Sequence, residues 1–370
     1  MEEEKERAAF TKKEIDYHAE LEAINRELAE LEQLPVNAER TFKAKKSELR
    51  PDIVTKVDEP IFLTPTKIKA VKRDLSQVIP SGIEILDKRI IGFNKRELTI
   101  WSGSNGSGKS SILSQLALES VDHNFNVALF SGELQADRVM NWITLQGAGK
   151  RYAQPTKYEN YYTIPEEVKN KISRWLDGKL YIYNNNHGLK VLDVIRAIEE
   201  CIDNNKIDVV IIDNLMSLDL SSVHGDKYDK QTDLVLRLSQ LSKDKKVHIH
   251  FVSHPRKSIG FLRKTDISGT ADITNAADNV FLCHRCNNDF KRNIKEYFGF
   301  KDDNPLMRYD NVIEITKNRD LGVSDLFVGL YYEKESKRFL NTPDETKYYG
   351  WEKDKEGFVN CLQDEIPFAE

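Results

Sequence analysis

The spacing of apolar positions changes twice along the chain. Near the amino terminus Tyr17, Leu21, Ile24, Leu28 and Leu31 alternate by four and three behind a Thr11–Glu14 capping box and stop at Pro35, which predicts a helix with one apolar seam within residues 1–34. That seam either packs on its own domain or docks on another subunit, and two heptads do not decide between these. Residues 35–79 hold a basic helical piece (Arg40, Lys43, Lys45, Lys46, Arg50) and a segment marked by Pro51, Pro60 and Pro65, and read as a linker. From Ile83 onward short apolar or β-branched runs alternate with helical patterns. The runs are Leu98–Trp101, Val127–Phe130, Leu180–Tyr183, Val209–Ile212 and Val247–Val252. This alternation predicts an α/β domain over residues 80–350 with a mostly parallel, helix-covered sheet. After Phe339 the chain turns polar, and residues 351–370 read as an acidic, solvated tail with a near-terminal Phe368.

Composition narrows the partners. The 370 residues leave room for one α/β core and an appended element, and the net charge of −5 carries no global basic signature, so any nucleic-acid surface must be local. Four scattered cysteines favour a reducing compartment. The acidic start, Met1-Glu2-Glu3-Glu4, argues against a secretory or transit signal, and no apolar run approaches a membrane span. The expectation is a cytoplasmic protein with no membrane partner.

The chemistry gathers at predicted strand ends, where parallel sheets place their ligands. Gly103-Ser104-Asn105-Gly106-Ser107-Gly108-Lys109-Ser110 reads G-x-x-x-x-G-K-S between an apolar run and the helical pattern Ile112, Leu113, Leu116, Leu118. Glycines free the backbone N–H groups to converge on a polyphosphate, and the helix that follows adds its positive end. Lys109 would reach the terminal phosphates and Ser110, followed by Ser111, would hold Mg²⁺. The run Asp208–Ile212 ends in Asp213, a second Mg²⁺ ligand. Val127–Phe130 runs out into Ser131-Gly132-Glu133, which offers Glu133 as a general base for water, unless it only caps the next helix, Ala136 to Gln146. Val247–Val252 ends at Ser253-His254-Pro255, where a polar residue can sense the γ-phosphate; the basic positions beyond it, Arg256, Lys257, Arg263 and Lys264, form either a DNA-binding patch or a solvated loop.

These stretches resemble the DnaB-type replicative helicases. Ser81-Gly82-Ile83…Leu86-Asp87, the phosphate loop, Phe130–Glu133, Ile212–Leu215, Ser253–Lys257 and Gly269-Thr270-Ala271…Ala277-Asp278-Asn279-Val280 follow in that family's order over roughly Pro80 to Phe339. The chain looks most similar to the helicase domains of phage primase-helicases and of mitochondrial Twinkle. The resemblance implies a RecA-like ATPase assembled as a hexameric ring, which hydrolyses ATP, dTTP or another NTP with Mg²⁺ and moves 5′ to 3′ along single-stranded DNA. It implies that Glu133 is the base and that His254 couples the γ-phosphate to the DNA loop, to which Gly269 belongs. Arg319, at the end of Ile313-Glu314-Ile315-Thr316-Lys317-Asn318-Arg319, would act on a neighbouring subunit's nucleotide with Lys317 assisting. Arg285 and Tyr332 match the positions that hold the nucleotide base. Replicative polymerase and primase are the partners such a ring implies.

Departures from the family pattern are also visible. Ser268 stands where many phage relatives have arginine, and Cys283-His284-Arg285-Cys286, though C-x-x-C, has no second pair at zinc-finger spacing and reads as a strand end. The stretch before Pro80 offers none of the zinc-ligand cysteines of a primase half. The same fold also serves recombinases and loaders, which bind DNA without unwinding it, and a non-catalytic nucleotide switch or a small-molecule kinase would share the phosphate loop.

Overall fold

The computed structural model describes residues 63–68, 74–214, 218–221, 226–255, 261–267 and 271–353. The amino-terminal seam, the acidic tail, Arg256, Lys257, Ser268 and Gly269 lie outside the described residues. The chain divides into two units, Met1–Arg73 and Asp74–Glu370. Of the first, the described structure is a short 3₁₀ turn, Pro65–Lys67.

The second unit is built on one sheet. Six strands, β1 (Leu98–Gly103), β2 (Val127–Ser131), β5 (Leu180–Ile182), β6 (Val209–Asp213), β7 (His248–Val252) and β8 (Asn279–Arg285), run parallel in the order β8-β1-β7-β6-β2-β5. Beyond β8 the direction reverses: β9 (Asn311–Asn318), β10 (Leu326–Glu333) and β11 (Arg338–Leu340) extend the edge by antiparallel pairing. A two-stranded ribbon, β3 (Gln154–Pro155) with β4 (Tyr162–Thr163), stands apart. Each of the five strands read from the sequence is present within two residues of its expected ends; β2 and β6 each gain the polar residue that closes them, Ser131 and Asp213.

Alternation along the strands divides the core into two layers, as a sheet covered on both faces requires. Trp101 joins Ile112 and Leu116 of α2 (Lys109–Asp122), Val139 and Ile143 of α3 (Ala136–Ala148), and Ile172 of α4 (Glu166–Leu176) on one side. Ile100, its neighbour in β1, joins Val194 and Ile198 of α5 (Val191–Asn205) and Leu234 and Leu238 of α6 (Lys227–Lys245) on the other. α1 (Glu84–Ile90) buries Leu86 and Ile90 in the Trp101 layer. Two further helices flank β8, α7 (Ala271–Ala276) before it and α8 (Asn288–Phe298) after it, and α9 (Gly350–Lys353) closes the described chain. α8 and the antiparallel edge carry a small third cluster of Phe290, Ile294, Val312 and Phe327.

Candidate functional site

Because the parallel strands end together, their terminal residues share one cleft of about 1080 Å³. Its walls include Ser104, Asn105, Gly106, Gly108, Lys109, Ser110 and Ser111 from the loop after β1, Glu133 beyond β2, Asp213 closing β6 and His254 beyond β7. Arg285 and Tyr332 line the same cleft from β8 and β10.

The loop between β1 and α2 is shaped by its neighbours. Gly103 has φ of 154°, and a Cβ there would lie 2.4 Å from the Cys283 carbonyl oxygen on the paired strand. Gly108 has φ of 92°, and a Cβ there would meet the Phe339 ring at 2.6 Å. Neither position has room for a side chain. Ser107 is braced from β9, where the Asn311 amide donates to its carbonyl at 2.9 Å. Phe339 is fixed in turn by Gln115 of α2, whose amide donates to the Phe339 carbonyl (2.9 Å) and accepts from its N–H (2.8 Å). The helix α2 begins at Lys109, so its unpartnered N–H groups open toward the cleft.

Lys109 is 6% exposed and donates to the carbonyls of Gly103 (2.8 Å) and Ser104 (3.0 Å). Burial lowers its pKa below 10.5, opposed by Cys283, Asp213 and Glu133. Burial raises that of Asp213; hydrogen bonding from Ser110 pulls it back, and the Glu133 charge adds to the rise. Ser110 and Asp213 are hard oxygen donors side by side at the root of the phosphate loop, a set that fits Mg²⁺.

Glu133 does not cap the following helix. The N-cap of α3 is Gln135, and no side chain caps it. The Glu133 carboxylate instead accepts a hydrogen bond from the Asn214 side chain and lies 3.6 Å from His254 Nε2. Burial and the Lys109 charge lower the His254 pKa, against the pull of Glu133 and Asp213, which favours the neutral ring at pH 7.

Four further candidates lie away from the cleft. Lys317 Nζ donates to the carbonyls of Thr274, Asn275 and Ala277 at the end of α7, at 2.9, 3.1 and 2.7 Å. Burial, with Arg319 and Lys264 nearby, lowers its pKa to about 8. Arg319 pairs with Asp278 at 2.7 Å and stays half exposed. Asp278 also accepts from the Leu98 N–H at 3.0 Å, so Arg319 stands at the start of β1 while the phosphate loop is at its end. The length of β1 at about 3.3 Å per residue puts these on the order of 16 Å apart. Arg263 and Lys264 sit at a 3₁₀ turn, Lys264–Asp266, in a loop whose base is closed by a bridge between Pro255 and Ile267.

Cys283 lies buried in β8 and Cys286 directly follows the strand's last residue, as the strand-end reading expects, and burial pushes both thiols up to about 12.

Several residues of the cleft carried no functional signal in the sequence. Trp142, Asp310, Asn311, Lys334 and Phe339 line it without a place in any spaced motif. Asn214 does stand in the Ile212–Leu215 stretch, directly after the acid that ends β6, but nothing in that stretch points to its contact with Glu133.

The chain matches the DnaB-like helicase C-terminal domain family over residues 78–341. It belongs to that family. The matched residues take in every strand from β1 to β11, and they agree with the span of roughly Pro80 to Phe339 expected from the motifs. Among solved structures, one ATPase domain superposes with a TM-score of 0.55 at 15% identity, covering 84% of this chain and 100% of that one. A DnaB-like replicative helicase, solved with its interactions with primase, superposes with a TM-score of 0.53 at 17% identity, covering 71% of this chain and 61% of that one. The fold is therefore the RecA-like ATPase fold of this family.

Proposed function

We propose that residues 74–353 form the motor of a ring-shaped replicative DNA helicase that hydrolyses ATP, dTTP or another NTP. The observation that carries this reading is the division of charge along one sheet: Lys109, Ser110, Glu133, Asp213 and His254 share a cleft at one end, and Arg319 stands at the other. Arg319 cannot reach its own cleft, so a catalytic role for it requires a second subunit.

Within a subunit, the loop N–H groups and Lys109 hold the phosphates. Ser110 and, directly or through water, Asp213 would hold Mg²⁺, which when bound supplies charge neutralisation between the β- and γ-phosphates. The Asn214 amide fixes one oxygen of Glu133 and leaves the carboxylate oriented to take a proton from the attacking water. His254, beside Glu133 and directly ahead of the loop that leads to Arg263 and Lys264, links the state of the γ-phosphate to that loop. Arg285 and Tyr332 would stack on either side of the base, a contact that any base satisfies. A neighbour's Arg319, with Lys317 beside it, would stabilise charge on the transferred phosphoryl group. Hexameric assembly, 5′ to 3′ movement on single-stranded DNA, contact with polymerase or primase, and a place in the cytoplasm of a bacterial or phage-infected cell complete the proposal.

Two labelled forks test it, one with only a 5′ tail and one with only a 3′ tail, in Mg²⁺ with ATP or dTTP. Unwinding that requires the 5′ tail supports the helicase and its polarity together. If neither fork opens while single-stranded DNA still stimulates hydrolysis, the chain is a DNA-dependent ATPase, and a recombinase or loader role replaces this one.

A further inference from the structure

The cleft has a second physical connection to the Arg263–Lys264 segment, separate from His254. It starts where β8 leaves the sheet. Arg285, Cys286 and Asn287 line the cleft, and Asn287 is also the N-cap of α8, its side-chain oxygen accepting from the Phe290 N–H at 2.8 Å. The inner side of α8 is anchored by Phe290 and Ile294, both buried, and Phe290 meets His284 at the end of β8 with ring centroids 5.2 Å apart, so the helix is packed on that strand end.

The body of α8 then grips the basic segment. Phe261 lies flat on His284, with ring centroids 4.9 Å apart and planes 4° from parallel, and it also meets Tyr297 at 5.5 Å, Phe290 at 5.8 Å and Phe298 at 5.9 Å. Two residues on, the Arg263 guanidinium stands 5.1 Å from the Tyr297 ring and 5.4 Å from that of Phe298. His284 is itself held, its Nε2 2.8 Å from a Glu314 carboxylate oxygen, with both side chains buried. The ring contacts of Phe261 thus go to β8 and α8, the elements whose junction lines the base-binding side of the cleft.

We propose that α8 is a strut between the nucleotide-base side of the cleft and the DNA-facing segment, and that Phe261 is the positioning residue through which the strut holds Arg263 and Lys264. The proposal rests on the function given above. A displacement of Arg285 on binding the base passes to α8 through Cys286 and Asn287, and from α8 to the basic segment through stacked rings. Nucleotide and DNA affinities are then coupled, and reciprocally so.

The test measures the affinity of the full chain for fluorescein-labelled oligo(dT), with and without a non-hydrolysable ATP analogue and Mg²⁺. For the unaltered protein the two affinities should differ by about tenfold, within the usual range of coupled sites. Phe261→Ala should collapse that ratio to about twofold while the DNA-independent kcat and KM for ATP stay within about twofold, and Phe261→Tyr should preserve it. Phe261→Leu, which keeps apolar volume but not stacking, stands in should the alanine variant fail to fold, with the same expectation. Oligo(dT) that does not bind the unaltered protein overturns the helicase reading and the strut with it. Binding without nucleotide dependence, or an unchanged ratio in Phe261→Ala or Phe261→Leu, overturns the strut alone.

Discussion

The two ends of the sheet use similar residues in opposite ways. At the amino end, charged groups are matched within the chain: Asp278 with Arg319 at 2.7 Å, Asp208 with Lys95 at 2.7 Å, and Glu119 with Lys347. At the carboxyl end, Lys109, Glu133, Asp213 and His254 crowd around a cleft, and burial shifts Lys109, Asp213 and His254 toward their neutral forms. A fold tolerates such crowding where a ligand supplies the missing charge. Lys317 breaks the symmetry. It lies at the amino end, yet its pKa is drawn down to about 8, by burial first and then by Arg319 and Lys264 beside it. Lys317, Arg319 and Lys264 thus gather three cations at the amino end.

The strongest way to break the comparison is Arg319→Ala. If the amino end completes a neighbour's site, turnover should fall about 10³-fold or more while nucleotide binding persists. Subunits carrying this change, mixed into unaltered rings, should depress activity by more than their mole fraction; a strictly proportional loss would sink the role in trans. Next comes Glu133→Gln, which keeps the hydrogen-bonding shape and removes the proposed base. Single-turnover hydrolysis should slow about 10²- to 10⁴-fold with fluorescent-nucleotide affinity nearly unchanged, and undiminished hydrolysis would remove Glu133 from the mechanism.

A smaller effect concerns pH. Lys317 is charged below about pH 8 and loses its proton above it. If that charge assists catalysis, kcat should decline a few-fold from about pH 7.5 to 9, and Lys317→Arg should flatten the decline. A profile that ignores this substitution would confine Lys317 to capping α7.

The smallest effect separates structural from functional perturbation. Asp87 is also raised, to about 6, by burial, but it is not among the residues that line the cleft, and it accepts the Ser81 N–H at 2.8 Å. Its proton is held more tightly in the folded chain than at the ordinary value of 3.8, so this stabilisation is full below about pH 4 and is lost as pH rises through 6. Asp87→Asn should remove that slope from urea midpoints, a change on the order of 1–3 kcal/mol, and leave turnover at about pH 7.5 intact. Loss of turnover in this variant at full stability would place Asp87 with Glu133 instead.

What could be read in advance follows the range of the interactions. Five of the six parallel strands were legible because each is a short apolar or β-branched run, whereas β8 was legible only at its end; Glu133, Asp213 and His254 stood out because each closes such a run or follows it closely. Glu133 was ambiguous as long as only its local sequence was known; the N-cap at Gln135 and the contact with Asn214, across the β2–β6 pairing, place its carboxylate in the cleft and not on the helix end. Phe339 and Asn311 were invisible because they support the phosphate loop across more than two hundred residues, and no spacing rule spans that distance. α8 went unread for a related reason. It is amphipathic in pattern, but its function as a packing element depends on Phe261 and His284, which belong to other elements.

The support that Phe339 gives to Gly108 also bears on how the protein is made. The phosphate loop is made about two hundred residues before Asn311 and the Phe339 half of the Gln115–Phe339 clasp. Until then the loop lacks two of its braces. A nascent chain thus cannot brace the phosphate loop in full until β11 is in place.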